Sequence, residues 1–472
     1  MRLLLISTYE LGRQPVHLAS PAASLSAAGV EVSLLDLAVD EWDPRALEGM
    51  EGVAISVPMH TAMRLAVSLA REIRRVRPDL PIAFYGLYAG VGREQTLGMV
   101  ADALFVGEYE PGLVAWATTG GAAVPEHGPI SVYVGGSAFR VPDRTGLPEH
   151  DRYARLEWEG EARLAGAVEA SHGCRHRCRH CPIPVVYDGR MRVVGHEAVL
   201  GDIDRLVSEG VRHVTFADPD FLNAPRHSLD LVRAAHAAHP DLTFDVTVKV
   251  EHVLEHDGVW EELAGLGVLF VVSAFESTDD RTLEILDKGH TVGDMIRALA
   301  VLRSAGIHPR PTWLPFFPWT TPADMVELAR FLDAYELWAA TDPVQLAIKL
   351  LVPEGSLMVG HPALVPHLIS YQPETLTWAW RFAHDSTRRL HEDLESIAAD
   401  ASDCGAEGAE TLATMRDLIG SMAGVELPAI SVARTAPRLT ESWFCCAEPT
   451  SNQGAAVGLT LGRVPVTSNR AV

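Results

Sequence analysis

Three cysteines, Cys174, Cys178 and Cys181, stand in the run Ala170-Ser171-His172-Gly173-Cys174-Arg175-His176-Arg177-Cys178-Arg179-His180-Cys181-Pro182. Thiolates spaced C-x3-C-x2-C can wrap three corners of a cubane iron–sulfur cluster, where a complete structural site uses four. Three protein ligands leave one iron open to a small molecule, the logic of catalytic metal centres generally. The competing reading is zinc held by three Cys and a nearby His. Zinc sites usually pair one C-x2-C with a second, so this spacing fits zinc poorly.

The other cysteines are the adjacent pair Cys445 and Cys446, beside Trp443 and Phe444, and the isolated Cys404. Six in so long a chain are too few for a disulfide framework, and clusters in a reducing compartment point to metal or redox chemistry. Two adjacent soft atoms suit a thiophilic substrate, a redox couple or an extra iron ligand. Two buried apolar cysteines are the plainer alternative.

The elements that must position these residues come in two α/β series. Apolar runs at Leu3–Thr8, Val32–Leu35, Val53–Val57, Ile82–Tyr85 and Ala103–Val106 alternate with helical patterns such as Leu18–Ala28 and Thr61–Val76. This predicts a doubly wound parallel sheet over residues 1–117. Such sheets bind ligands outside the carboxyl ends of their strands, at Tyr9–Pro15, Pro58–Thr61, Gly86–Gly90 and Gly107–Pro111. No G-x-G-x-x-G loop follows the first strand, which disfavours a dinucleotide. Residues 118–160, rich in Gly and Pro, read as a linker. The second series has strands at Ala167–Ala170, His213–Ala217, Thr243–Val248, Leu269–Ser273, Arg310–Leu314 and Gln345–Leu350. It predicts a partial (β/α)6 barrel over 161–360, with chemistry at the strands' carboxyl ends. Residues 361–450 read as mostly helical, including Glu374–Asp400 and Ala406–Met422, and 451–472 as poorly ordered.

Acidic and polar residues fall at the barrel strand ends. Asp218 and Asp220 follow the second strand, Lys249 the third, and Ser273 and Glu276 the fourth. Helix capping is the alternative role for the acids and serine. Lys349 lies in the apolar run Leu346–Leu351, where an amine must find a partner or shift its pKa. A substrate anion and a neighbouring salt bridge are equal readings.

The net charge of −23, from 39 basic and 62 acidic residues, argues against a nucleic-acid partner. The apolar run Leu3–Ile6 is too short for an export signal, and no 18-residue apolar stretch predicts a membrane span. The expected location is the cytoplasm.

The cysteine motif resembles that of the radical S-adenosylmethionine (SAM) superfamily, and the sheet before it resembles the cobalamin-binding domain of the superfamily's B12-dependent branch. The resemblance implies a [4Fe–4S] cluster whose open iron is chelated by SAM, reductive SAM cleavage to a carbon radical, and an electron donor such as flavodoxin or ferredoxin. It also implies that Asp218 and Asp220 lie near the SAM amino group, and Ser273 and Glu276 near its ribose and carboxylate. Where relatives commonly carry an aromatic residue before the third cysteine, His180 stands here. For the amino-terminal domain two readings stay open, cobalamin binding and a scaffold. The loops with Tyr9 and His60 resemble the B12 branch, while the D-x-H-x-x-G motif that supplies a lower cobalt ligand is absent. The tail Cys445-Cys446-Ala447-Glu448-Pro449 resembles the CUAEP/CCAEP-tail radical SAM proteins, some of which carry selenocysteine at one of the paired positions. A related tail type includes enzymes that attach the aminocarboxypropyl group of SAM to arsenic.

The implied activity is alkyl transfer to a small substrate, with a soft atom such as arsenic or selenium as one acceptor. The alternatives are a cobalamin-dependent C-methyltransferase and a non-catalytic metal or corrinoid carrier. Cys445, Cys446 and Lys349 are the candidate catalytic residues.

Overall fold

Strand β1 (Arg2–Ser7) is buried from Leu3 to Ser7, as a central parallel strand covered on both faces must be. The computed structural model describes residues 1–122, 130–133, 139–406, 408–428, 436–441 and 447–457. Around β1 lie β2 (Glu31–Asp36), β3 (Gly52–Ser56), β4 (Ile82–Tyr85), β5 (Ala103–Gly107) and β6 (Ile130–Tyr133), all parallel, in the order β2-β1-β3-β4-β5-β6. The five expected strands are present, and β6 comes from the stretch read as a linker. One face is covered by α1 (Val16–Ala27) and α4 (Glu110–Thr118), through Leu18, Leu25, Leu113 and Trp116. The other takes α2 (His60–Val76), whose buried Leu65, Leu69 and Ile73 recur at helical spacing. The one-turn α3 (Arg93–Thr96) leads into β5.

The barrel begins at β8 (Glu161–Val168), paired antiparallel on one side with β7 (Arg155–Trp158). The hairpin β9 (Ser171–Gly173) and β10 (Met191–Val193) brackets α5 (Ile183–Tyr187), and α6 (His196–Ser208) returns to β11 (His213–Phe216). Then come α7 (Pro225–Ala238), β12 (Thr243–Thr247), α8 (Val250–Glu255), α9 (Trp260–Gly265), β13 (Val268–Glu276), α10 (Asp280–Leu286), α11 (Val292–Ser304), β14 (His308–Trp313) and α12 (Pro322–Ala334). Strands β8, β11, β12, β13 and β14 form a parallel half-barrel in that order.

The sixth strand expected at Gln345–Leu350 is reduced to one parallel bridge, Phe316 to Lys349, after a 3-10 turn at Pro343–Leu346. The cause lies in β14. Proline donates no N–H, so the donors that pair with β13 must come from the residues alternating with Pro309 and Pro311. The two prolines then occupy the opposite edge and leave it without donors.

After the barrel, β15 (Leu368–Gln372) pairs with β16 (Thr377–Trp380). The helix read from Glu374 therefore starts only at Asp385, because the Thr- and Trp-rich run before it favours a strand. Helix α13 (Asp385–Cys404) stops at Gly405 in the left-handed conformation, and α14 (Gly408–Ala423) packs on α12 and α13. The chain returns through β17 (Arg438–Leu439), paired with β7, to α15 (Ser451–Ala456), where Trp42 N donates to Ala456 O. No helix among the described residues is long and apolar enough to cross a membrane.

Candidate functional site

Val168 ends β8, and five residues later the chain turns at Gly173 into the cysteine loop. Gly173 has φ +77°, and a Cβ there would meet Arg190 O at 2.5 Å and the Tyr187 ring at 2.6 Å, so only glycine fits. Arg179 fixes the far side of the loop. Its backbone N donates to Leu286 O, and its guanidinium donates to Glu284 O and Ile285 O at the end of α10. Cys174 and Cys178 are buried, and Cys181 is partly exposed. Burial pushes the Cys181 thiol up to about 12, and the neighbouring Cys178 and Cys174 add to it. Cys174 is likewise raised by burial, while Asn223 opposes through its amide, which donates to Sγ at 3.5 Å. Three thiols brought together on one short loop are a donor set that a multivalent cation satisfies, and they fit an iron–sulfur cluster.

Beside them sits Glu276, buried at a bulge that ends β13, with φ +67°. Non-glycine residues rarely hold that conformation outside constrained functional sites. Lys288 Nζ and His180 Nε2 each lie 3.1 Å from its Oε1. Burial pushes the Glu276 carboxyl up, but Lys288 and His180 outweigh it and hold the group well below the usual range. His180, standing where relatives commonly carry an aromatic residue, thus turns toward a carboxylate.

The other expected cofactor residues have separate places. Asp218 accepts from Ala170 N at 2.9 Å and from the Ser171 hydroxyl, so it clamps the start of the motif, and burial lifts its carboxyl to about 7. Asp220 caps the next turn through Leu222 N, and its second oxygen lies 2.9 Å from His252 Nδ1. His252 Nε2 is 3.2 Å from His176 Nε2, whose Nδ1 is 2.9 Å from Lys249 Nζ. The three residues His176, Asp220 and His252 converge closely enough for a metal. An ammonium at His176 Nδ1 nevertheless assigns the ring proton to Nε2, where a metal would bind, so the set reads as a hydrogen-bonded chain. Ser273 alternates with Val271 and Phe275, and Phe275 packs edge-on against Trp313 on the helix-covered face, so Ser273 shares that face rather than the barrel interior.

Lys349 is exposed rather than buried, which removes the need for a partner inside a strand. It lies close enough to Glu448 to lower that carboxyl's pKa. Glu448 also bonds Arg64 at 2.7 Å and sits 3.3 Å from His60 Nε2, while the Thr61 hydroxyl donates to Ala447 O. The segment after the cysteine pair is therefore pinned to the start of α2, at the carboxyl end of β3. Cys445 and Cys446 themselves lie outside the described residues. Tyr9 lines a groove of about 420 Å³ with Arg152, Asp403, Glu441 and Asn452, and no cysteine-motif residue lines it.

The sheet and the cysteine loop meet at Glu108, which follows β5. Its carboxylate accepts from the Tyr187 hydroxyl at 3.1 Å and from Arg192 at 2.9 Å, and lies 2.9 Å from His172 Nδ1. His172 Nε2 faces Glu169 at 3.2 Å, Glu169 faces His17 at 3.5 Å, and His17 faces Glu10 at 2.9 Å. Sequence reasoning missed this chain. The pairings that join it up, His17–Glu169, His172–Glu108 and Arg192–Glu108, are long-range, and no local spacing announces them.

Residues 168–332 match the Radical SAM superfamily. A radical SAM domain implies a [4Fe–4S] cluster and SAM. The half-barrel and parallel sheet together resemble the radical SAM methyltransferase TsrM from Kitasatospora setae, solved with cobalamin and a [4Fe–4S] cluster, at 18% identity and TM-score 0.54 over 71% of this chain and 70% of that one. They also resemble the cobalamin-dependent radical SAM enzyme OxsB, at 14% identity and TM-score 0.63 over 85% of this chain and 67% of that one. In sequence, a hopanoid C-2 methylase from Rhodopseudomonas palustris is 22% identical over 269 residues, 51% of each chain. The chain spans about half the length of that relative.

Proposed function

We propose that this chain is a radical SAM transferase that moves an alkyl group, most simply a methyl, from SAM to a small substrate with the help of cobalamin. The observation that carries this reading is the junction at Glu108, where the carboxyl edge of the parallel sheet abuts the loop bearing the three cysteines.

Cys174, Cys178 and Cys181 would hold the cluster. Glu276, kept ionised by Lys288 and His180, offers a fixed anion beside it for a cationic cofactor. At the sheet edge His60 Nδ1 and the Tyr109 hydroxyl are buried without a partner among the described residues, and they fit a ligand rich in hydrogen-bonding groups such as a corrin. When bound, cobalamin supplies a cobalt centre that takes up and releases methyl groups. Lys349 is an exposed ammonium near the same edge, suited to orient a substrate anion.

A second reading is supported by the anchoring of Ala447 and Glu448: the pair Cys445 and Cys446 assists transfer to a soft acceptor atom such as arsenic or selenium. The test is anaerobic reconstitution with iron, sulfide, SAM and hydroxocobalamin. Expected are a corrin spectrum perturbed by the protein and SAM-derived products that include S-adenosylhomocysteine. An unperturbed corrin spectrum would remove cobalamin, and an aminocarboxypropyl adduct in place of methyl transfer would favour the second reading. Under that reading Cys445→Ser or Cys446→Ser lowers product formation at least tenfold while iron content stays unchanged.

A further inference from the structure

We infer that the outer face of the cysteine loop is the docking surface for a small acidic one-electron donor protein. The inference rests on the reading of the three cysteines as a redox cluster. The chain as a whole is strongly acidic, with 39 basic and 62 acidic residues. Between Ser171 and Val193 the balance inverts, with five arginines and a single carboxylate, Asp188.

These charges form one patch. The Gly189 Cα carries its missing Cβ position 3.5 Å from Arg175 O and 3.7 Å from Arg177 Cγ, so the turn that leads to Arg190 packs on the segment holding the first two cysteines. Arg175, Arg177 and Arg190 are exposed. Asp188 is spent on Arg177 at 2.8 Å, and Asp287 faces Arg179 at 3.5 Å. Arg175 and Arg190 have no carboxylate partner among the described residues.

A basic patch on a chain of net charge −23 steers an acidic partner to one face and turns it away elsewhere. That face belongs to the ligand loop itself: Arg175 and Arg177 lie between Cys174 and Cys178 in the chain, and the turn that leads to Arg190 packs on them. The transfer is simple in balance. A reduced flavin or iron–sulfur donor gives up one electron, the cluster gains it, and no proton or atom moves between the proteins.

The experiment compares two reductants on the reconstituted full-length enzyme, following SAM cleavage. One is reduced flavodoxin, an acidic protein, and the other is dithionite, which needs no docking. With wild type, the flavodoxin-driven rate should fall at least fivefold between 50 and 300 mM salt (order-of-magnitude choices for screening), and the dithionite-driven rate should hold. In Arg175→Glu/Arg190→Glu the KM for flavodoxin should rise about tenfold or more with the dithionite rate unchanged. The milder Arg190→Gln should show the same split, smaller, and guards against a folding defect in the double variant. Equal salt response with both reductants, or an unchanged flavodoxin KM in both variants, overturns the docking surface. Absence of cleavage by wild type with dithionite overturns the underlying cluster reading instead. Tight binding of a nucleic acid that Arg175→Glu/Arg190→Glu abolishes, with flavodoxin kinetics untouched, would reassign the patch.

Discussion

Arg179 and Gly173 show how single residues hold the cysteine loop. One ties the loop to the end of α10 through three carbonyls, and the other permits a turn into which no side chain fits. The loop geometry is thus built by groups other than the thiols, and replacing a thiol should remove the metal without collapsing the fold. Cys178→Ala is expected to lose the broad visible absorption and most of the iron after anaerobic reconstitution, and with them SAM cleavage. Its far-ultraviolet circular dichroism should match wild type. Full iron content in this variant, or zinc as the metal found in native protein, contradicts the assignment. Lys288 is read from the same neighbourhood. Its ammonium faces Glu276 and also lies near Cys178 and Cys181, so Lys288→Met should leave the Glu276 carboxylate buried with only His180 for a partner. Cluster content is then expected to survive while the KM for SAM rises, a split that simple unfolding does not produce.

The elements differ in how plainly they can be read. The strands of the amino-terminal sheet are legible because each is a short apolar run, with β1, β3, β4 and β5 buried on both faces, and their helices because apolar residues recur at helical spacing. Placement of the three cysteines just after the first barrel strand was equally plain. The run Gln345–Leu350 carries a strand pattern, and what keeps it from pairing is written two elements earlier, in the prolines of β14. The strand at Thr377–Trp380 was absorbed into a helix because the hairpin that claims it depends on β15. The neighbours of Ser273 in sequence point it to a cofactor, whereas strand alternation turns it to the helices. Between the sheet and the barrel the decisive contact is Arg144, which donates to both oxygens of Asp202 in α6, to Ala167 O in β8, and to Gln14 in the loop after β1. Both partners are buried. Removing one member of a buried pair strands the other charge, at a cost of about 3–5 kcal/mol. Arg144→Met should therefore lower the urea midpoint markedly, and a loss below about 1 kcal/mol would show that the pair does little for stability.

At the scale of the whole molecule, the question is what fixes the sheet against the barrel. The chain Glu10–His17–Glu169–His172–Glu108–Arg192 crosses the boundary more than once, since Glu10, His17 and Glu108 belong to the sheet and Glu169, His172 and Arg192 to the barrel. Each imidazole has a carboxylate at both nitrogens, so each is satisfied only as the doubly protonated cation. The charges then alternate and cancel along the chain, which is how a buried ionic array avoids an unpaired group. For His17, burial pushes the imidazole down, but Glu10 and Glu169 outweigh it and raise the pKa from 6.5 to about 9. A folded value above the unfolded one means that stabilisation is complete below pH 6.5 and is lost as pH rises through 9. Wild type should accordingly lose on the order of 3 kcal/mol of stability across that window, and His17→Gln should flatten the profile. Glu108 tests the boundary itself. In Glu108→Gln the shape is kept, but Arg192 and His172 lose their shared counter-charge, so contacts across the boundary should loosen while the cysteine loop, braced independently by Arg179, stays formed. Hydrogen exchange should then speed up in residues 9–17 and 187–193, with iron content unchanged. Unaltered exchange in both segments would mean that Arg144 alone holds the sheet in place, and loss of iron would mean that Glu108 braces the cysteine loop itself.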